Sequence, residues 1–259
     1  MGNRLQGKAT IVTGGSGGIG LATAQLFHGE GASVAIVDLD RAAVAEAARE
    51  VGDGALGIAA DLSREEEAER AVRETVDRFG RLDVLVNAAA IRVYGPVTEA
   101  TRESWERIVD VNLLGTAAMC KYAIPMMARN GGASVVNVSS SNASVGRGGM
   151  AQYDATKGAM LSLTRALACD HAAEGIRVNA LSPGPTLTPF HVRRRMMETG
   201  EPFEAAEAAL RAVGARTLLG RQAEPIEVAR ALLFLASDEA SYITAIDLPV
   251  DGGLIGVRG

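Results

Sequence analysis

Hydrophobic and polar positions follow two rhythms along this chain. Short, almost uncharged runs rich in Val and Ile recur at "KATIVT", "SVAIVD", "ALGIAA", "DVLVNA", "ASVVNVSS" and "RVNALS", with a shorter run, "AIDLPVD", near the end. Between them, apolar residues return every three or four positions over 18–30, 41–51, 64–79, 103–129, 151–173 and 225–236. The first rhythm predicts seven strands and the second predicts helices. Alternation of this kind builds a parallel sheet, and strands this apolar predict helices on both of its faces. The expected fold class is α/β.

The rhythm breaks once. Between the sixth strand and the 225–236 helix, residues 183–220 carry Pro, Thr, three consecutive arginines and two short helical patterns. So long a connection within a domain is usually functional, and it predicts a helical lid over a site. Its 190–213 part, interrupted by Gly200 and Pro202, is expected to be mobile without ligand and ordered with it. A length of 259 residues suits one large domain over 1–259, with two domains the weaker option.

Composition then removes several function classes. The chain is 47% hydrophobic and 22% charged, which predicts a substantial core. A net charge of −5 without a lysine-rich stretch argues against a nucleic-acid partner. No apolar run is long enough to span a bilayer, none near the start resembles a signal peptide, and "MGNRLQ" lacks the Ser or Thr of a myristoylation signal. Cys120 and Cys169 have no metal-ligand spacing and read as reduced core residues. These features predict a cytoplasmic protein with no membrane partner and no metal.

Chemistry first shows in "VTGGSGGIG", which ends the first strand and opens the first helix. That context is the one a dinucleotide fingerprint requires. Gly14 permits a tight turn, Gly18 lets the backbone approach a pyrophosphate, and Gly20 allows close helix–strand packing. The helix start offers free N–H groups and the positive end of a dipole to phosphate. Asp38 closes the second strand, where a carboxylate can accept both ribose hydroxyls of NAD and would repel the 2′-phosphate of NADP. Asp40, just before an Ala-rich helix, is the better candidate for its N-cap.

A second stretch, "NVSSSNASVGRGGMAQYDATKGAM", puts Ser139, Ser140 and Ser141 ahead of Tyr153 and Lys157. Four residues apart on a helix, the phenol and the ammonium share one face. A free phenol has a pKa near ~10, too high for proton exchange at neutral pH. A neighbouring ammonium favours phenolate and lowers it. Strand alternation separates Ser139 from Ser140 but does not say which faces the site.

Together these motifs resemble the short-chain dehydrogenase/reductase family, from Gly7 to about Gly253. Thr13, Gly14, Gly18 and Gly20 match its T-G-x-x-x-G-x-G pattern, and Tyr153 and Lys157 match Y-x-x-x-K. "DVNLLG" resembles the segment giving the family's catalytic Asn, here Asn112, and "DLS" the one whose Asp, here Asp61 beside Leu62, meets adenine. "SPGPTLT" resembles the stretch beside the nicotinamide, with Pro183, Gly184, Thr186 and Thr188, and the C-terminal "PVDGG" matches as well. Three positions depart from the pattern: Ala90 replaces a common glycine, Thr186 a common Ile or Val, and Ala245 a common glycine.

The resemblance implies a doubly wound Rossmann domain that binds NAD through Gly14, Ser16, Gly17, Gly18, Ile19, Gly20, Asp38, Leu39, Asp61, Leu62, Asn87, Ala88 and Ala89. Lys157 would bond the nicotinamide ribose, Tyr153 would act as acid and base, and Asn112 would fix a water that carries the proton onward. The family's serine stands thirteen positions before the tyrosine, which selects Ser140 to hold the substrate oxygen. Arg92, Asn142 and Gln152 stand where such enzymes commonly meet substrate, with His191 a further candidate. This polar set implies a sugar, polyol or other small polar secondary alcohol, handled by a homotetramer with 103–129, 151–173 and the C-terminus at interfaces. Arg193, Arg194 and Arg195 read as a solvated helix face, and Trp105 as packing. The competing readings are a 3-oxoacyl-carrier-protein reductase using NADPH and a catalytically silent NAD-binding scaffold.

Overall fold

Runs such as SVAIVD, with no charge before their last residue, are stable as strands only when both faces are covered, and that condition sets the architecture. A computed structural model describes residues 3–212 and 217–256. Its strands are β1 (Ala9–Thr13), β2 (Ser33–Asp38), β3 (Leu56–Ala59), β4 (Val84–Asn87), β5 (Ala133–Val138), β6 (Ile176–Pro183) and β7 (Asp247–Val250). They form one parallel seven-stranded sheet in the order β3-β2-β1-β4-β5-β6-β7. Pro249 has no N–H for a ladder and sits on β7, where one side of the strand has no neighbour.

Nine α-helices are described: α1 (Gly18–Gly29), α2 (Arg41–Val51), α3 (Glu65–Phe79), α4 (Arg102–Val109), α5 (Gly115–Ala128), α6 (Ala151–His171), α7 (Pro189–Thr199), α8 (Phe203–Ala212) and α9 (Pro225–Ala236). Alternate strand residues divide between two cores. Ile11, Val37, Leu85, Val135 and Val178 pack with Ala71, Met119 and Ala168 of α3, α5 and α6. Their neighbours Val12, Ile36, Val86, Val136 and Leu181 pack with Phe27 of α1 and Leu232 of α9. The sheet is covered on both faces, as its strands require. Strand order reverses between β1 and β4, so their C-terminal ends open a crevice, the usual ligand position in such sheets.

Two expectations are corrected. The 103–129 pattern is not one helix: a π turn over Asp110–Leu114 separates α4 from α5. The wide turn accompanies an Asn112 side chain that is fully buried and bonded outside its own helix. Cys169 is exposed, because the buried stripe of α6 runs through Tyr153, Thr156, Met160, Thr164 and Ala168, and the next position points off it. Cys120 does lie in the core, where burial pushes its thiol up to about 12 against the pull of an Asn87 N–H.

The 183–220 connection contains α7 and α8, with a small core of its own made by Leu187, Val192 and Ala206. The Leu187 N–H donates to the Ala223 carbonyl at 2.8 Å, tying its start to the approach of α9. Residues 213–216 of the predicted lid, and Met1 and Gly2 of the N-terminal reading, lie outside the described residues. No helix among the described residues is long and apolar enough to cross a membrane.

Candidate active site

Where β1 meets α1, glycine is required by crowding. Gly14 has φ 65°, and a Cβ there would lie 2.8 Å from the Ala89 nitrogen. A Cβ on Gly20 would collide with the Gly14 carbonyl. Gly18, at φ 50°, faces Thr188, whose Cγ2 would lie 3.2 Å from an added Cβ. Thr13 Oγ1 accepts from the Ala88 and Ala89 N–H groups at 3.0 and 3.1 Å, stitching the ends of β1 and β4 together. Gly17 caps α1 without a side-chain bond, and the first turn carries no acid. Main chain and a helix dipole therefore line this end, a surface that fits a diphosphate.

Asp38 lies beside that loop. Its Oδ2 accepts from Ser16 Oγ at 2.6 Å and from the Ser16 N–H at 3.1 Å, and its Oδ1 accepts from the exposed Leu39. Asp40 caps α2, its Oδ1 accepting from Ala42 and Ala43. Asp61 Oδ1 takes the N–H and hydroxyl of Ser63, and Leu62 is buried with its carbonyl against Gly115. Ile19 packs against the α1 core, and Thr186 Oγ1 donates to Gly184 just past Pro183. Asn87 is different. Its side chain turns into the sheet and donates to Asn137 at 2.9 Å, so only its main chain can face a cofactor.

Across the crevice, Tyr153 and Lys157 are both buried on α6. Lys157 Nζ donates to the Val138 carbonyl at 2.7 Å and lies 5.7 Å from the Tyr153 ring centroid. Burial alone would raise the phenol's pKa, but the Lys157 and Arg92 charges, with the Ser140 hydroxyl beside it, outweigh that and lower it. Burial lowers the Lys157 ammonium too, opposed by the phenol and helped by Arg92. Ser139 faces away, donating to the Lys157 carbonyl at 2.8 Å. Ser140 Oγ accepts from the Asn142 N–H at 3.2 Å and belongs to the phenol's surroundings. Asn112 is fully engaged, pairing with both backbone groups of Ile91 and donating to Thr156 Oγ1 at 3.1 Å.

The 183–220 connection brings His191 and Phe190 against Arg92. Arg92 Nη1 donates to His191 Nε2 at 2.6 Å, and its Cζ lies 5.3 Å from the ring centroids of both Tyr153 and Phe190. Arginine can only donate, so Nε2 accepts, and Nδ1 carries the proton toward Thr188 Oγ1 at 3.0 Å. Burial and the Arg92 charge hold His191 down at about 4, neutral at physiological pH. Asn142 and Gln152 do not join this cluster: Asn142 Nδ2 donates to Asp154 and Gln152 Nε2 to Ser104. Both side chains brace neighbouring chain. Arg194 and Arg195 pair with Glu198 and Glu201, and Trp105 packs beside Ile108. Phe190 was missed in the sequence, although an exposed aromatic directly after Pro189 at a helix start was a legible signal.

A family model described as "Enoyl-(Acyl carrier protein) reductase" matches residues 14–255. The chain is 37% identical over 251 residues to meso-2,3-butanediol dehydrogenase of Serratia marcescens, covering 96% of this chain and 95% of that one. The chain belongs to the short-chain dehydrogenase/reductase family. Another member, cis-4-hydroxycyclohexanecarboxylate dehydrogenase of Sinomonas cyclohexanicum, is 39% identical over 260 residues, covering 99% of this chain and 100% of the other. The ligand-free structure of Thermoplasma acidophilum aldohexose dehydrogenase superposes with a TM-score of 0.89 at 34% identity, covering 100% of this chain and 98% of that one. As a family member, this protein is an oxidoreductase of alcohols, with a fold that implies NAD or NADP. Of its departures from the family pattern, Ala90 is exposed and Thr186 buried, while Ala245 alone among described non-glycine residues has positive φ, at 63°.

Proposed function

We propose that this oxidoreductase interconverts small polar secondary alcohols, sugars and polyols among them, with their ketones, and that it prefers NAD to NADP. The observation that carries the chemistry is a buried phenol lowered by two cations, with a serine hydroxyl beside it. Tyr153 exchanges the hydroxyl proton of substrate, and Ser140 holds the same oxygen. Lys157 keeps the phenol acidic and would bond the nicotinamide ribose. Asn112, whose side chain pairs with Ile91 and Thr156, would fix a water that carries the proton onward. When bound, the nicotinamide supplies or accepts the hydride. Gly14, Ser16, Gly17, Gly18, Ile19 and Gly20 would hold the diphosphate side, Asp38 and Leu39 the adenosine ribose, and Asp61 and Leu62 the adenine. Ala88, Ala89, the Asn87 main chain and the Pro183–Thr188 segment would line the rest. The names of the butanediol and aldohexose relatives support a polyhydroxylated or diol substrate. The proposal includes a homotetramer working in the cytoplasm.

Coenzyme preference rests on Asp38. Ser16 and Leu39 flank it, neither is cationic, and a 2′-phosphate of charge about −2 would meet its carboxylate. A panel of sugars, polyols and keto compounds, followed by NADH absorbance with NAD and NADP in parallel, tests the reading. The expected result is at least ~10-fold higher kcat/KM with NAD, about 1.4 kcal/mol, narrowed in Asp38→Ala chiefly through weaker NAD binding. Equal use of both coenzymes would favour the NADPH-linked carrier-protein reductase instead.

A further inference from the structure

Arg92 stands out among the arginines near the site. Arg194 and Arg195 each pair with a lid glutamate, whereas among the described residues no carboxylate lies within ion-pair distance of Arg92. Its polar partners are a neutral imidazole and the Tyr153 hydroxyl, neither of them a carboxylate. It is nevertheless well placed. The residue before it is clamped by Asn112, which accepts from the Ile91 N–H at 2.8 Å and donates to the Ile91 carbonyl at 3.0 Å. His191 holds the guanidinium from the other side, itself oriented by Thr188. Asp154 is the acid beside the catalytic tyrosine in sequence, but its oxygens take Asn142 Nδ2 and the Arg147 N–H. Arg194 and Arg147 add positive potential at His191. A fixed, half-buried guanidinium without a counter-ion, beside the reacting phenol, is a site for an anion.

We propose that Arg92 binds a carboxylate of the substrate, and that the site acts on short hydroxy acids and the matching oxo acids. This rests on the alcohol oxidoreductase reading above. Arg92 borders the Tyr153 phenol, so one molecule reaching both has its carboxylate only one or two carbons from the carbinol carbon. A planar carboxylate matches the guanidinium fork, which can donate two parallel N–H···O bonds to it. On oxidation, the carbinol C–H leaves as hydride to the oxidised coenzyme and the O–H proton goes to Tyr153. The carboxylate is unchanged, and its charge offsets that of Arg92.

The test compares lactate with lactamide, and 3-hydroxybutyrate with 3-hydroxybutanamide, over a range of pH. The unaltered protein should prefer the better acid over its amide by at least ~10-fold in kcat/KM. In Arg92→Gln that ratio should fall to about one, with the acid's loss carried mainly by KM. Arg92→Lys, which keeps the charge without the fork, should retain part of the preference. Butyrate, which cannot react, supplies an arm independent of turnover: by calorimetry, with and without NADH, it should bind about 30-fold more weakly to Arg92→Gln. Equal use of acid and amide by the unaltered protein overturns the proposal and leaves the oxidoreductase reading standing. So do equal losses for both in Arg92→Gln, the result expected if Arg92 only tunes Tyr153 and seats the lid. If no hydroxy acid, hydroxy amide, sugar or polyol reduces NAD or NADP, the oxidoreductase reading fails instead, and the butyrate titration alone decides for or against Arg92.

Discussion

Around the N-terminus of α1 the crevice is lined by main chain, whereas beneath α7 it is lined by long side chains. At the first end, substitutions are excluded by space: Gly14 and Gly20 lie against backbone atoms that cannot move aside. At the second, Arg92 and His191 meet across 99 residues of sequence and are positioned by hydrogen bonds that can be exchanged. A backbone surface suits an invariant ligand part such as a diphosphate. A side-chain surface can be retuned for substrate without disturbing the fold. Tyr153 lies where the two meet, lowered by Lys157 from one side and by Arg92 from the other.

The largest expected effect separates these two ends most sharply. Tyr153→Phe keeps the buried ring and removes only the hydroxyl, so turnover should fall by at least ~100-fold while NADH affinity is little changed. Steady-state rates beside a fluorescence titration with NADH measure both quantities. A variant that kept most of its activity would remove Tyr153 from the chemistry.

The adjacent serines sharpen the boundary further. Ser140→Ala should lower kcat by roughly 10-fold to 100-fold, because its hydroxyl lies beside the phenol. Ser139→Ala loses a bond to the Lys157 carbonyl and should cost stability, about 1 kcal/mol, more than rate. Kinetics and thermal melts of the two variants decide this. Reversed severities would place the wrong serine at the substrate.

How much of this was legible follows from what sets each feature. The predicted 41–51 and 225–236 helices coincide with α2 and α9, because their ends are fixed locally by the Asp40 cap, by Gly52 at φ 128° and by Pro225. The glycine loop was legible for the same reason, since backbone crowding leaves its record in residue type. The break after Val109 was not, because it depends on Asn112 reaching Ile91, 21 residues away. The partners of Gln152 and Asn142 were hidden likewise, since Ser104 and Asp154 reach them only in space. Arg92 came from the family pattern and His191 from its place after the nicotinamide segment, and only the fold makes them a pair.

That pair gives a pH-dependent difference between the ends. His191 is lowered from its ordinary 6.5 to about 4 by burial and Arg92. Between those values the unfolded chain takes up a proton that the folded one refuses. This contribution to stability is therefore full above pH 6.5 and is lost as pH falls toward 4. His191→Gln should flatten that part of the Tm-against-pH curve, by an amount equivalent to at most about 2 kcal/mol after allowance for partial exposure. NMR titration of the His191 ring checks the cause directly. A midpoint near 6.5 would mean that neither burial nor Arg92 acts on it.

The smallest effect lies outside both ends, at Ala245, where the chain enters β7. Ala245 holds φ at 63° while its N–H donates to the Val178 carbonyl at 2.8 Å, so pairing with β6 fixes the strained conformation. A left-handed Ala costs about 1–2 kcal/mol, which glycine avoids. Against that relief stand roughly 0.5–1 kcal/mol of added chain entropy in the unfolded state and the loss of a methyl packed against the core. The balance is small and leans toward stabilisation, so Ala245→Gly should be neutral or up to about 1 kcal/mol more stable, a Tm change of only a few degrees. Ala133→Gly, in the ordinary strand geometry of β5, lacks the relief term and should lose about 1 kcal/mol. Melting the two variants side by side cancels the entropy term common to both and leaves the strain at Ala245 as the difference. Equal destabilisation of the two would mean that the positive φ at Ala245 carries no cost.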